Sequence, residues 1–125
     1  MAKKGKSHAA EYDFTLDQGS DYRFQLEIYN SDDTPKDITK NTYVCKIRRD
    51  AEDEEVLTEA VATIISNNIV EFHFRDEDTG HIDTDGLNYQ ELTEATYDIL
   101  QITPEGEATR LVNGFCSISP GISYH

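Results

Sequence analysis

Residues 21–29 alternate without a break. Tyr22, Phe24, Leu26 and Ile28 fall on one side of an extended chain, and Arg23, Gln25, Glu27 and Tyr29 fall on the other. This is the period of two that a half-buried strand requires and that a helix of 3.6 residues per turn cannot use. The same period recurs along the chain. Residues 11–17 set Tyr12, Phe14 and Leu16 against Asp13, Thr15 and Asp17; residues 42–49 turn Tyr43, Cys45 and Ile47 inward and Lys46 and Arg48 outward. Val70, Phe72 and Phe74 alternate with Glu71, His73 and Arg75. Residues 97–103 and 109–119 form the last two strands, with Val112, Gly114, Cys116 and Ile118 sharing one face. Only residues 56–65 fit both periods: Leu57, Ala60, Val61 and Ile64 have helical spacing, whereas the branched run from Val61 to Ile65 favours a strand.

Between these runs stand residues that turn a chain. Gln18-Gly19-Ser20 breaks the first run, and Asn30-Ser31-Asp32-Asp33-Thr34-Pro35 makes a loop after which Ile38 tucks inward. Asp50-Ala51-Glu52-Asp53-Glu54-Glu55 reads as a solvated loop, and Ser66-Asn67-Asn68 as the tight turn of a hairpin. Pro104-Glu105-Gly106-Glu107 joins the last two strands. Residues 76–95 lose all periodicity and read as a long crossing loop with one helical turn at residues 89–92. About seven strands with little helix predict an all-β antiparallel sandwich. At 125 residues there is room for one core. The expected layout is a flexible basic tail over residues 1–10, a sandwich over residues 11–120, and a short tail over residues 121–125.

Charge narrows the partners. Eleven Lys and Arg face 25 Asp and Glu, for a formal charge of −14. Such a surface repels phosphate backbones and anionic lipid, so neither nucleic acid nor membrane is expected as a partner. No stretch approaches the roughly 20 apolar residues of a membrane helix. Lys3, Lys4 and Lys6 have no apolar segment behind them, so no secretory signal is read and synthesis in a cytoplasm is expected.

The candidate chemistry is thin. The acidic residues Asp76, Glu77, Asp78, Asp83 and Asp85, with Gly80 and Gly86, suggest a calcium loop, but the spacing fails. Placing Gly86 at the turn position of an EF-hand sets His81 first and Leu92 last, and neither supplies a carboxylate. His8, His73, His81 and His125 form no close ligand pair with each other or with cysteine, so zinc is not expected. Cys45 and Cys116 both fall on apolar faces and read as reduced core residues, with an inter-sheet bridge as the alternative. No phosphate loop, nucleophile elbow or Cys–His pairing is present. Catalytic, cofactor-binding and metal residues are therefore all expected to be none.

A series of segments is more specific. Tyr12-Asp13-Phe14-Thr15-Leu16-Asp17-Gln18-Gly19-Ser20-Asp21-Tyr22 is followed by Asp33-Thr34-Pro35-Lys36-Asp37-Ile38-Thr39, then Thr42-Tyr43-Val44-Cys45-Lys46-Ile47-Arg48. Ala95-Thr96-Tyr97-Asp98-Ile99 and Thr109-Arg110-Leu111-Val112-Asn113-Gly114, with Ile118-Ser119-Pro120, close it. In this order and spacing the chain resembles a family of small immunoglobulin-like virion structural proteins of tailed bacteriophages, a fold also found at the N-terminus of the phage baseplate upper protein. The resemblance covers residues 11–120. Asp33 stands where that family commonly has glycine, and the loop over residues 76–95 is longer and more acidic. The resemblance implies an immunoglobulin-like sandwich in the virion and a non-enzymatic role as a baseplate or tail adaptor. It further implies many copies per particle, other virion proteins as partners and no cofactor. A capsid decoration or head-fibre attachment protein is the alternative, and a carbohydrate- or calcium-dependent adhesion module a more remote one.

Overall fold

The computed structural model describes residues 10–82, 84 and 92–121. Nine strand segments and one helical turn follow one another: β1 (Ala10–Glu11), β2 (Phe14–Asp17), β3 (Tyr22–Glu27), β4 (Thr42–Arg48), β5 (Thr58–Glu59), β6 (Val61–Ser66), β7 (Ile69–Phe74), α1 (Asp76–Thr79), β8 (Thr93–Ile102) and β9 (Ala108–Ser119). One sheet runs β1-β9-β8-β4-β5, with β2 also on β9, and the other runs β3-β7-β6. The hairpin β8–β9 with β4 beyond β8, facing β3, β7 and β6, is the C-F-G and B-E-D strand order of an immunoglobulin-like sandwich. All pairings are antiparallel except those of β1 and β2, which lie parallel to β9.

The core is the inward set that the alternation predicts. Leu16, Ile38, Cys45, Ile47, Val70, Phe72, Phe74, Ile99, Cys116 and Ile118 are fully enclosed. Aromatic rings pack both within the sheets and, through Phe14 on Tyr22, between them. Phe14 stacks on Tyr22 at 5.1 Å and meets Tyr97 edge-on at 4.9 Å, and Phe24 stacks on Phe72 at 5.3 Å. Each such pair adds about 0.5–1.5 kcal/mol beyond its buried area.

Three expected strands differ in extent, each for a local reason. Residues 11–17 form two segments, because the chain steps aside at Tyr12 and Asp13. There the Asp13 carboxylate accepts the Phe115 N–H at 2.8 Å, and the Tyr97 hydroxyl donates to the Tyr12 carbonyl. Gly114 makes room for this step: a Cβ there would stand 2.2 Å from the Tyr12 carbonyl oxygen. Residues 56–65 are ambiguous because they change sheets. Thr58–Glu59 pairs with β4 and Val61–Ser66 with β7, while the intervening Ala60 donates its N–H to the Cys45 carbonyl at 3.0 Å. Last, β8 begins at Thr93, earlier than expected, and the helical turn lies at Asp76–Thr79. The turn expected at residues 89–92 lies outside the described residues apart from Leu92, as do the tails apart from Ala10 and Gly121.

The Gln18-Gly19 pair does more than break a strand. The buried Gln18 amide donates to the carbonyls of Gly80 at 3.1 Å and Ile82 at 2.6 Å, and its oxygen accepts the Gly121 N–H at 3.0 Å. Gly19, at φ 84°, donates its N–H to the Thr79 hydroxyl at 3.1 Å. One turn thereby ties the segment after β7 and the end of β9 to the same end of the sandwich.

Candidate protein-binding surface

The outer face of the larger sheet carries the residues that the core rejects. Register places Lys46 opposite Asp98, Arg48 opposite Thr96, and Leu100 opposite Arg110. On the far side of β8, Asp98 meets Asn113 and Thr96 meets Phe115. Lys46, Arg48, Thr96, Asp98, Arg110 and Asn113 together line an open cleft of about 200 Å³. Arg110 Nε pairs with Asp98 Oδ2 at 3.2 Å. Among the described residues neither Lys46 nor Arg48 has an ion-pair partner, and Arg48 Nε is buried without a hydrogen bond. Beside the cleft Phe115 is 62% exposed, the most exposed large apolar side chain described. Three of the chain's 11 cations thus converge on one spot of a molecule whose charge is −14.

Among the described residues the outer edges of β3 and β6 are unpaired. Ile28 donates its N–H to Asn68 on the β7 side, so the ladder's alternation turns the N–H and C=O of Arg23, Gln25 and Glu27 away from β7. No described residue pairs with that edge. Its end opens into a groove of about 900 Å³ whose walls combine Leu26, Ile28, Leu111 and Val112 with the polar residues Glu27 and Asp33. Along β6, at the opposite edge of the smaller sheet, Val61 and Ile65 are exposed.

The residues weighed for chemistry are engaged elsewhere. His73 Nε2 lies 2.8 Å from Asp21 Oδ1, which also accepts the Asp76 N–H at 3.2 Å. The hydrogen bond to His73, then that to Asp76, hold the Asp21 carboxyl below its usual range. In the acidic segment Arg75 pairs with Asp78 at 2.7 Å and with Glu77 at 3.3 Å, so the carboxylates of α1 neutralise a cation of their own chain. Asp83, Asp85 and Gly86 lie outside the described residues, as do His8 and His125. Among the described residues no group of three His, Cys, Asp or Glu is arranged to hold a metal. None of their helices is long and apolar enough to cross a membrane.

Cys45 and Cys116 are fully buried and free. They share a sheet, which removes the inter-sheet bridge. Cys45 lies opposite Ile99 and Cys116 opposite Ala95, on the two flanks of β8. Two strand spacings and four residues of offset separate their Cα atoms by well over the ~7 Å that a disulfide spans. Burial pushes the Cys116 thiol up to about 12 and the Cys45 thiol higher still.

No family model matches the chain, and no curated protein matches it. Solved structures do. Murine CRIg is similar with a TM-score of 0.40 at 9% identity, over 88% of this chain and 92% of that one. The ZIG-8–RIG-5 IG1–IG1 heterodimer gives 0.37 at 9% identity over 96% and 89%. A structure of voltage-gated sodium channel (VGSC) beta subunits, described for multimeric cell-adhesive interactions, gives 0.43 at 8% identity over 94% and 97%. The fold assignment stands on the strand order above.

Proposed function

We propose that this chain is a non-enzymatic virion structural protein of a tailed bacteriophage, a baseplate or tail adaptor that links neighbouring virion proteins. The observation that carries the reading is the ordered series of five segments across residues 11–120 that resemble such proteins. The physical form suits the task. A small sandwich clamped at one end by Gln18 keeps its shape in many copies, while open strand edges and an exposed sheet face offer docking sites. On this reading the protein is made in the host cytoplasm, assembles into the particle in many copies, and uses no cofactor.

The test is to locate the protein in purified particles by cryo-electron microscopy and count its copies. A ring of copies at the tail end supports the adaptor. Copies spread over the icosahedral shell move the role to capsid decoration or head-fibre attachment. Absence from particles overturns the virion reading.

A further inference from the structure

We propose that the cleft between Lys46, Arg48 and Arg110 on the outer face of β4, β8 and β9 receives a carboxylate side chain from an acidic, extended segment of a partner protein. The neighbouring Phe115 would take an apolar residue of the same segment. The inference rests on the reading of the chain as a protein-binding module, and does not depend on the particle in which it works.

Charge on this surface is arranged against its own surroundings. An unpaired guanidinium held partly within a protein is costly unless an anion meets it, and Arg48 has no such partner among the described residues. Asp98, the one carboxylate lining the cleft, is engaged by Arg110; Lys46 stands between Asp98 and Glu59 of its two neighbouring strands without a close ion pair, and Arg48 has no carboxylate opposite it in the β4–β8 register. The planar Arg fork matches a carboxylate in bidentate geometry, and Lys46 two residues along the same face supplies a second positive contact. The Asn113 side chain adds an amide that can donate to the same group.

Size and charge select among anions. A cleft of about 200 Å³ holds one or two side chains, not a nucleic-acid strand. The −14 charge of the whole chain repels any polyanion at long range and is screened by salt, so within the cleft it is the contact of one carboxylate with the local cations that holds the segment. Phe115 supplies what such an interface needs at its centre: an aromatic anchor, exposed now and able to be covered, beside a charged contact whose desolvation strengthens it.

The test uses the full chain and a defined probe. Acetylated tetraglutamate amide is titrated into isotopically labelled protein at low salt, with tetraglutamine as the neutral counterpart, and nitrogen–proton spectra are recorded, including the arginine Nε–H signals. The expected result is saturable movement of the Arg48 Nε–H and of the Thr96 and Asn113 amides with tetraglutamate and none with tetraglutamine. Lys46→Gln with Arg48→Gln should weaken that binding at least tenfold while the rest of the spectrum keeps its folded dispersion. Arg23→Gln and Arg75→Gln, cations away from the cleft, should leave it unchanged. Binding that survives in the double variant, or that moves the signals of Arg23 and Arg75 as strongly as Arg48, overturns the proposal. So does concentration-dependent movement of the cleft signals without peptide, which would make a second copy the occupant.

Discussion

Replacing Gln18 by alanine should cost this domain a large share of its stability, and the size of the loss can be worked from three bonds. The side chain satisfies the carbonyls of Gly80 and Ile82 and the N–H of Gly121, and only 4% of the residue's surface is exposed. Truncation removes all three bonds and leaves three backbone groups in a site too enclosed for easy hydration. At about 1 kcal/mol net per neutral hydrogen bond, with more where a partner stays unsatisfied, the loss is about 3 kcal/mol. Unfolding entropy of about 2.1 cal/mol/K per residue over 125 residues converts this to a fall in Tm of about 11 °C. Thermal unfolding followed by circular dichroism reads the shift directly. Gln18→Glu sharpens the test, because a carboxylate has the shape of the amide but no N–H to give to two carbonyls. At pH 7 it should melt no higher than the alanine variant. An exposed control on a strand, Gln25→Ala, should move Tm by less than about 2 °C, as surface changes stay within about 0.5 kcal/mol. A Gln18→Ala fall under 3 °C, or a glutamate variant as stable as the parent, would refute the clamp.

Other consequences are equally direct. Gly114→Ala should destabilise by at least about 2 kcal/mol in chemical denaturation, since its Cβ would meet the Tyr12 carbonyl at 2.2 Å and must push the β1–β2 step off β9. At Asp33, where φ is 70°, glycine should be more stable than alanine by about 1 kcal/mol, because only alanine must carry a Cβ into the left-handed region. Native protein should label at neither Cys45 nor Cys116 with a thiol reagent on the timescale of minutes, whereas denatured protein should label at both, since burial raises both thiols. The Asp21 carboxyl is depressed in the folded state, so its contribution is present above the ordinary carboxylate range and is lost as pH falls through that range. Asp21→Asn should therefore lose less stability than the parent between pH 5 and pH 3 in parallel urea titrations; an equal loss would remove His73–Asp21 as a source of acid sensitivity.

The strands were legible because burial on one face of a sheet writes itself into every second residue. Tyr43, Cys45 and Ile47 point inward as their spacing says, and so do Val70, Phe72 and Phe74. What the spacing could not show depends on residues far apart in the chain. Gln18 looks like a strand breaker; its bonds reach 62, 64 and 103 positions away, and no local pattern marks them. The change of sheets at Ala60 blurs the period of residues 56–65, since each half obeys a different partner strand. The cationic cleft was half visible. Alternation puts Lys46 and Arg48 on an outer face, but only the register of β4 on β8 and of β8 on β9 brings Arg110 beside them.

That division bears on how the resemblance to virion proteins is to be used. Several residues of the segments that carry it have a folding reason in this molecule. Gln18-Gly19 clamps one end, position 33 needs a left-handed residue, Ile38 plugs the core, Tyr97 braces Tyr12, and Gly114 lets the first strand pass. Such residues belong to the architecture, because any chain folding this way must solve the same local problems. Partners meet outward residues, and Lys46, Arg48 and Arg110 are outward residues that lie inside two of these segments. Lys46, Arg48 and Phe115 are free of any such duty: none fills the core, and neither cation has a partner among the described residues. On this face the Arg48 Nε, buried without a hydrogen bond, is the group whose desolvation a bound anion would offset. The choice of partner is therefore to be sought by substituting this face, where a loss of binding can be separated from a loss of fold.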